Sequence, residues 1–136
     1  MVIGSTAGPV GDTGAVLLID AANVVGSRPN GWWRDRPGAA RAFVEEVRAA
    51  VVAGRLVAPV VVVLEGKART GVEAGVAGGV TVVHAPGSGD DTLVAATADA
   101  SGRVTLVSAD RALCRRAEDL GADVARPGWL LGLLDG

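Results

Sequence analysis

Five carboxylates stand where apolar runs of the chain give way to something else. "LLID" stops on Asp20, "PVVVVL" runs into Glu65, "VTLVS" is followed at one remove by Asp110, and Asp90 and Asp91 open the segment after "APGSG". Carboxylates gathered in one place raise one another's pKa unless a cation neutralises them. A hard divalent ion suits them: Mg²⁺ takes oxygen ligands, keeps several waters and bridges one or two carboxylates to substrate phosphates. Such a centre acidifies a bound water and holds an in-line displacement at phosphorus. That chemistry needs neither a histidine nor a nucleophilic side chain, and this chain has one His, His84, and one Cys, Cys114. Each acid also has a plain structural use. Asp110 can cap a helix, Asp90 and Asp91 can meet the positive end of a helix dipole, and Asp20 with Asn23 can organise a turn. The coincidence of all of them at the ends of runs is what favours chemistry.

The elements that would position these acids alternate in type. Ala15–Asp20, Pro59–Leu64, Val80–His84 and Arg103–Ser108 read as buried strands, with a short one at Asp123–Ala125. Pro37 opens a helix toward Gly54, with Ala40, Phe43, Val44, Val47 and Val51 at helical spacing. Further helices are expected from Asp90 to about Ala100, Asp110–Leu120 and Pro127–Leu134, while the Gly-rich stretch 66–79 reads as a weak short helix or loop. Buried strands alternating with helices require right-handed crossovers and a sheet covered on both faces. The expected fold class is therefore α/β, a three-layer α/β/α sandwich around a parallel sheet of four or five strands. Ligands of such sheets bind beyond the carboxyl ends of the strands, where the acids fall.

Composition bounds the rest. At 136 residues the chain has the length of one domain, and with 49% apolar residues it can bury a core. Residues 1–14 read as a flexible leader and 15–136 as the domain. The formal charge of −2 gives no global case for nucleic acid, but the charge is unevenly spread. Arg28, Arg34, Arg36, Arg41, Arg48 and Arg55 outnumber Asp35, Glu45 and Glu46, whereas Asp90, Asp91 and Asp99 have no base among them. A lone Cys permits no internal disulfide, the start of the chain lacks a signal-peptide pattern, and no apolar run approaches the ~20 residues that span a bilayer. The expectation is a cytoplasmic protein with no membrane partner; the Ala, Gly and Arg bias suits a GC-rich bacterial genome.

Three motifs in order, "LLIDAAN", "GDDTLVAATADA" and "VTLVSADRAL", resemble the PIN-like nuclease superfamily and, within it, the NYN branch. The resemblance covers nearly the whole chain after the leader. It implies a sheet of order 3-2-1-4(-5) and a metal-dependent ribonuclease that hydrolyses phosphodiesters with a metal-activated water, using Mg²⁺ or Mn²⁺. By position, Asp20 is similar to the family's central acid and Asn23 to its companion. Asp91, or its neighbour Asp90, matches the helix-start acid. Asp110 matches the acid after the fourth strand, with Ser108 as its supporting hydroxyl. Glu65 resembles the acid after strand two, although other relatives draw that acid from a helix, where Glu45 or Glu46 would stand. The implied metal ligands are Asp20, Asp90, Asp91 and Asp110, with Glu65 completing the catalytic set.

The loop "GSRPNGWWRDRPG" follows the central acid and should rim the site. Tryptophan faces stack unpaired bases, worth about 1–3 kcal/mol each, and arginines meet phosphates. Arg28, Trp32, Trp33, Arg34 and Arg36 therefore join Asn23 and Ser108 on the substrate side. The rival readings are a core or dimer contact for the tryptophans and ion pairs for the arginines, with Asp35 at hand. His84 reads as a hydrogen-bonded strand-end residue, Cys114 as a small buried group, and Gly87–Gly89 as a weak phosphate cradle. The expected partner is RNA, single-stranded or structured, and a homodimer is permitted. The same acids would also serve a nucleotide phosphohydrolase, and a non-catalytic RNA- or protein-binding module would use the tryptophans and arginines without them.

Overall fold

The computed structural model describes residues 15–57, 59–100 and 102–135, so the expected leader at 1–14 lies outside the described residues. Five of its strands are parallel. β1 (Val16–Asp20) pairs on one side with β2 (Val60–Leu64) and on the other with β5 (Val104–Val107); β2 pairs with β4 (Val80–His84), and β5 with β6 (Asp123–Ala125). With β3 at Gly75–Ala77, the order across the sheet is β3-β4-β2-β1-β5-β6. The sixth strand, β3 (Gly75–Ala77), is antiparallel to β4 and lies at an edge. It corrects the expected count of four or five: stretch 66–79 forms a 3-10 turn at Gly66–Gly71 and then this strand. All three β3 residues are exposed, so no burial pattern marks them.

Helices cover both faces. α1 (Ala21–Gly26), α2 (Arg36–Val52) and α5 (Pro127–Asp135) pack with Ile19, Val60, Val62, Leu64, Val80, Val82 and Val107. α3 (Gly89–Asp99) and α4 (Arg111–Asp119) cover the other face, over Leu18, Val63, Val104 and Leu106. The alternation of neighbouring strand residues between these two clusters is the two-residue period of a pleated sheet buried on both sides. In α2 the Asp35 carboxylate accepts the Gly38 N–H at 2.9 Å, Pro37 occupies the first turn, and Ala40, Phe43, Val44, Val47 and Ala50 line the buried stripe. Fully burying such a Val, Leu or Phe side chain is worth about 1.5–3 kcal/mol.

Backbones approach closely at Gly71, where an added Cβ would stand 2.0 Å from the Pro37 carbonyl oxygen. Only a glycine lets the 3-10 turn lie against the start of α2. Helix α1, directly after Asp20, has no counterpart in the sequence reading, because six residues are too few to display a helical period. No helix among the described residues is long and apolar enough to cross a membrane.

Candidate functional site

Asp20 closes β1 with only 2% of its surface exposed and caps α1. Its Oδ1 accepts the Asn23 N–H at 3.4 Å, and its Oδ2 accepts the Asn23 Nδ2 at 2.7 Å and the Ser108 hydroxyl at 2.8 Å. The strand register produces the last bond. Ile19 sits opposite Val107, so the next residues, Asp20 and Ser108, are level across the β1–β5 ladder. While its hydrogen is donated to Asp20 in a hydrogen bond, the Ser108 oxygen accepts the Asp110 N–H at 3.1 Å. Asp110 then caps α4, its Oδ1 taking the Leu113 N–H at 3.1 Å. One buried hydroxyl thus ties together acids that are 90 positions apart in the chain.

A third acid arrives from α3. Ser88 caps this helix by accepting the Asp90 N–H at 3.2 Å. Partial burial, then the charges of Asp110 and Asp20, push the Asp90 carboxyl above its usual range; Arg116 pulls it back and Asp91 adds to the rise. Asp90 therefore feels the charge of the other two acids. Asp91 is largely exposed and meets Arg116 at 3.3 Å. Glu65, half-buried just beyond β2, presses against the same helix: a Cβ on Gly89 would lie 2.8 Å from its Oε1. Gly89 is what admits a glutamate there, and the glycine directly before "DD" is the sequence signal for that approach. Glu45 is exposed, and Glu46 is held by Arg28.

Glu65 also lines a cleft of about 180 Å³ with Trp32, Arg36 and the small apolar residues Ala21, Ala22, Val25, Ala40 and Ala68. The Trp–Arg loop forms its rim, in a different arrangement from the expected one. Trp32 and Trp33 meet edge to face, with centroids 6.1 Å apart. Arg36 lies over the Trp32 ring at 5.5 Å and Arg34 over Trp33 at 5.7 Å, so these arginines stack and Asp35 is left to cap α2. Trp33 remains 55% exposed. Two expected substrate contacts are otherwise employed. Arg28 makes a two-pronged bond to Glu46, at 2.7 and 2.8 Å, and the Glu46 bond raises its already high pKa. Ser108 is fully buried and serves Asp20 and Asp110, out of a substrate's reach.

His84 pairs its Nε2 with the Val72 carbonyl at 2.7 Å, and Cys114 lies beneath the acids, its thiol donating to the Ser108 carbonyl at 3.6 Å. Both fill the structural roles that their types suggested.

A divalent ion is the group this edge implies, and the donor chemistry admits one. Asp110 Oδ2, Glu65 and the Asp90 carboxylate accept no side-chain or backbone hydrogen bond among the described residues, and each is a hard oxygen donor. Burial first, and then the neighbouring acids, raise the Asp90 pKa. Among the described residues no group of three or more His, Cys, Asp and Glu is placed to hold a metal ion. An ion here would have to rest on one or two carboxylates, with its other positions left to water and substrate oxygens, the habit of Mg²⁺.

No protein-family model and no curated protein sequence matches the chain. Among solved structures it is similar to a mutant form of Rae1 (YacP) from Bacillus subtilis, with a TM-score of 0.63 and 16% identity, over 89% of this chain and 75% of that one. At that identity the likeness is one of fold.

Proposed function

We propose that the chain is a metal-dependent ribonuclease of the PIN-like type, in its NYN branch, cleaving RNA phosphodiester bonds at the acid edge of the sheet. The observation that carries this reading is the link from Asp20 to Asp110 at the strand ends, in which the Ser108 hydroxyl donates to the Asp20 carboxylate and accepts the Asp110 backbone N–H. A buried hydroxyl that fixes one strand-end acid and the backbone of the next suits a site built from carboxylates. The β1-centred order of the parallel strands and the fold likeness to Rae1 support the family reading.

In this reading each residue has a role. Asp20, fixed through Asn23 and Ser108, anchors the site, and Asp110 and Asp90 supply the nearby oxygens that would hold Mg²⁺ or Mn²⁺. Such an ion supplies neutralisation of the scissile phosphate and an acidified water. Glu65 orients the attacking water and accepts its proton, because its carboxylate has no hydrogen-bond partner among the described residues. Asn23 and Ser108 are positioning residues. The exposed Trp33 offers a base one ring face, while Arg34 and Arg36 carry positive charge to the strand's phosphates.

Incubating the protein with single-stranded RNA, structured RNA and nucleoside triphosphates in Mn²⁺ tests this. RNA cleavage that stops in Asp20→Asn and, separately, in Asp110→Asn, with both variants folded, is the expected result. Cleavage that persists in both removes the mechanism. Hydrolysis of the triphosphates with RNA untouched would move the same acids to a nucleotide substrate.

A further inference from the structure

A second charged feature flanks the acid edge on the side away from the Trp–Arg loop. A groove of about 350 Å³ runs between α4 and β6, lined by Arg111, Arg115, Arg126, Glu118, Cys114 and Val124. Its volume is within the range of about 300–1,000 Å³ typical of ligand clefts. Three guanidinium groups stand against one carboxylate, and none of the three has an ion-pair or hydrogen-bond partner for its side chain among the described residues. The next arginine, Arg116, is the one that pairs with Asp91.

The topology fixes where this charge lies. Arg111 follows Asp110 directly, and Arg115 is one turn further along the same face of α4. Arg126 follows β6, whose Ala125 carbonyl accepts the Ser108 N–H at 3.1 Å, so it is one strand across from the hydroxyl that joins the acids.

We propose that this groove binds the phosphodiester backbone of single-stranded RNA, holding the nucleotides on one side of the scissile bond while the Trp–Arg loop holds the other. The inference rests on the ribonuclease reading for its choice of ligand, and the groove's own chemistry asks only for a chain of phosphates. In a protein whose formal charge is −2, such binding needs a local concentration of positive charge beside the acids, and the three unpaired arginines supply it.

The test is equilibrium binding of a fluorescein-labelled twelve-residue oligouridylate in EDTA, which prevents cutting, across a salt series. Wild type is compared with R111A/R115A/R126A and R111K/R115K/R126K. Each lost phosphate contact lowers the salt slope by about 0.7, so the alanine variant should lose about 2 from the slope and about tenfold in affinity at low salt. The lysine variant should keep both. The arginines are exposed, and a circular dichroism melt checks that each variant folds. Equal slopes in wild type and the alanine variant overturn the proposal, as does a wild type that fails to bind. Equal weakening toward a polyglutamate probe overturns it in favour of an acidic protein partner. Cleavage in Mn²⁺ is scored separately: its absence sinks the ribonuclease reading, while the binding measurements in EDTA decide the groove.

Discussion

Replacing Ser108 by alanine removes one oxygen atom and two hydrogen bonds, and both bonds belong to the proposed site. The first is donated to the Asp20 carboxylate at 2.8 Å, in a position with no exposure to solvent. A bond to a charged group contributes about 1.5–3 kcal/mol, and a buried N–H left without a partner, here that of Asp110, costs about 1–3 kcal/mol. Allowing for relaxation at the partly buried Asp110, the loss should be about 2–4 kcal/mol, a large part of the ~5–15 kcal/mol that holds a typical domain. With a urea m-value of about 1–3 kcal/mol per molar, the unfolding midpoint should fall by about 1–2 M. In the Asp20→Asn background the same change should cost clearly less, because the charge-assisted part is already gone. The ribonuclease rate should fall as well, since Asp20 and Asp110 lose their common tether. A midpoint shift under about 0.3 M, or equal costs in the two backgrounds, would refute the idea that this hydroxyl holds the acids together.

Three other changes probe different links. Asp90 has a raised pKa in the folded protein, so the stability it contributes is present below its unfolded value of about 3.9 and is lost as pH rises through the folded value. Asp90→Asn should therefore raise the thermal midpoint in EDTA at pH 7 and leave it unchanged near pH 3, read by differential scanning calorimetry; a lower midpoint at pH 7 contradicts the crowding of acids. Gly71→Ala drives a Cβ into the Pro37 carbonyl oxygen at 2.0 Å and should cost about 3 kcal/mol, the upper end for overpacking. An unchanged urea midpoint would show that the turn does not pack on α2 in this way. Gly89→Ala displaces Glu65, whose Oε1 would lie 2.8 Å from the new Cβ, and should lower the cleavage rate much more than the melting temperature.

Much of this architecture was legible because burial writes itself into sequence. The valine runs at Val60–Leu64 and Val80–His84, and the spacing of Ala40, Phe43, Val44 and Val47, fix strands and a helix through the surfaces they hide. Elements that hide little left no such trace: β3 is exposed throughout, and α1 is shorter than two turns. The acids were legible as strand-end residues, since a parallel sheet sends every strand's carboxyl end to one edge. Their individual postures were not. Asp90 is partly buried and feels the charges of Asp110 and Asp20, whereas Asp91 is exposed and pairs with Arg116 on α4. Arg28 is withdrawn by Glu46, 18 residues away, a pairing that no local pattern announces. The stacking of Arg34 and Arg36 on the tryptophans likewise depends on the 3-10 turn at Trp32–Arg34, which puts rings and guanidinium groups side by side. The arginines of α4 and Arg126 are unremarkable in sequence and become a single feature only when β6 lies beside β5.

The most direct measurement is anomalous diffraction from a crystal soaked in Mn²⁺. An anomalous peak within coordination distance of Asp110 or Asp90, on the side of Asp20 away from Ser108, is the predicted result. A peak elsewhere, or none at a manganese concentration that supports cleavage, would contradict the assignment of these acids to a divalent ion.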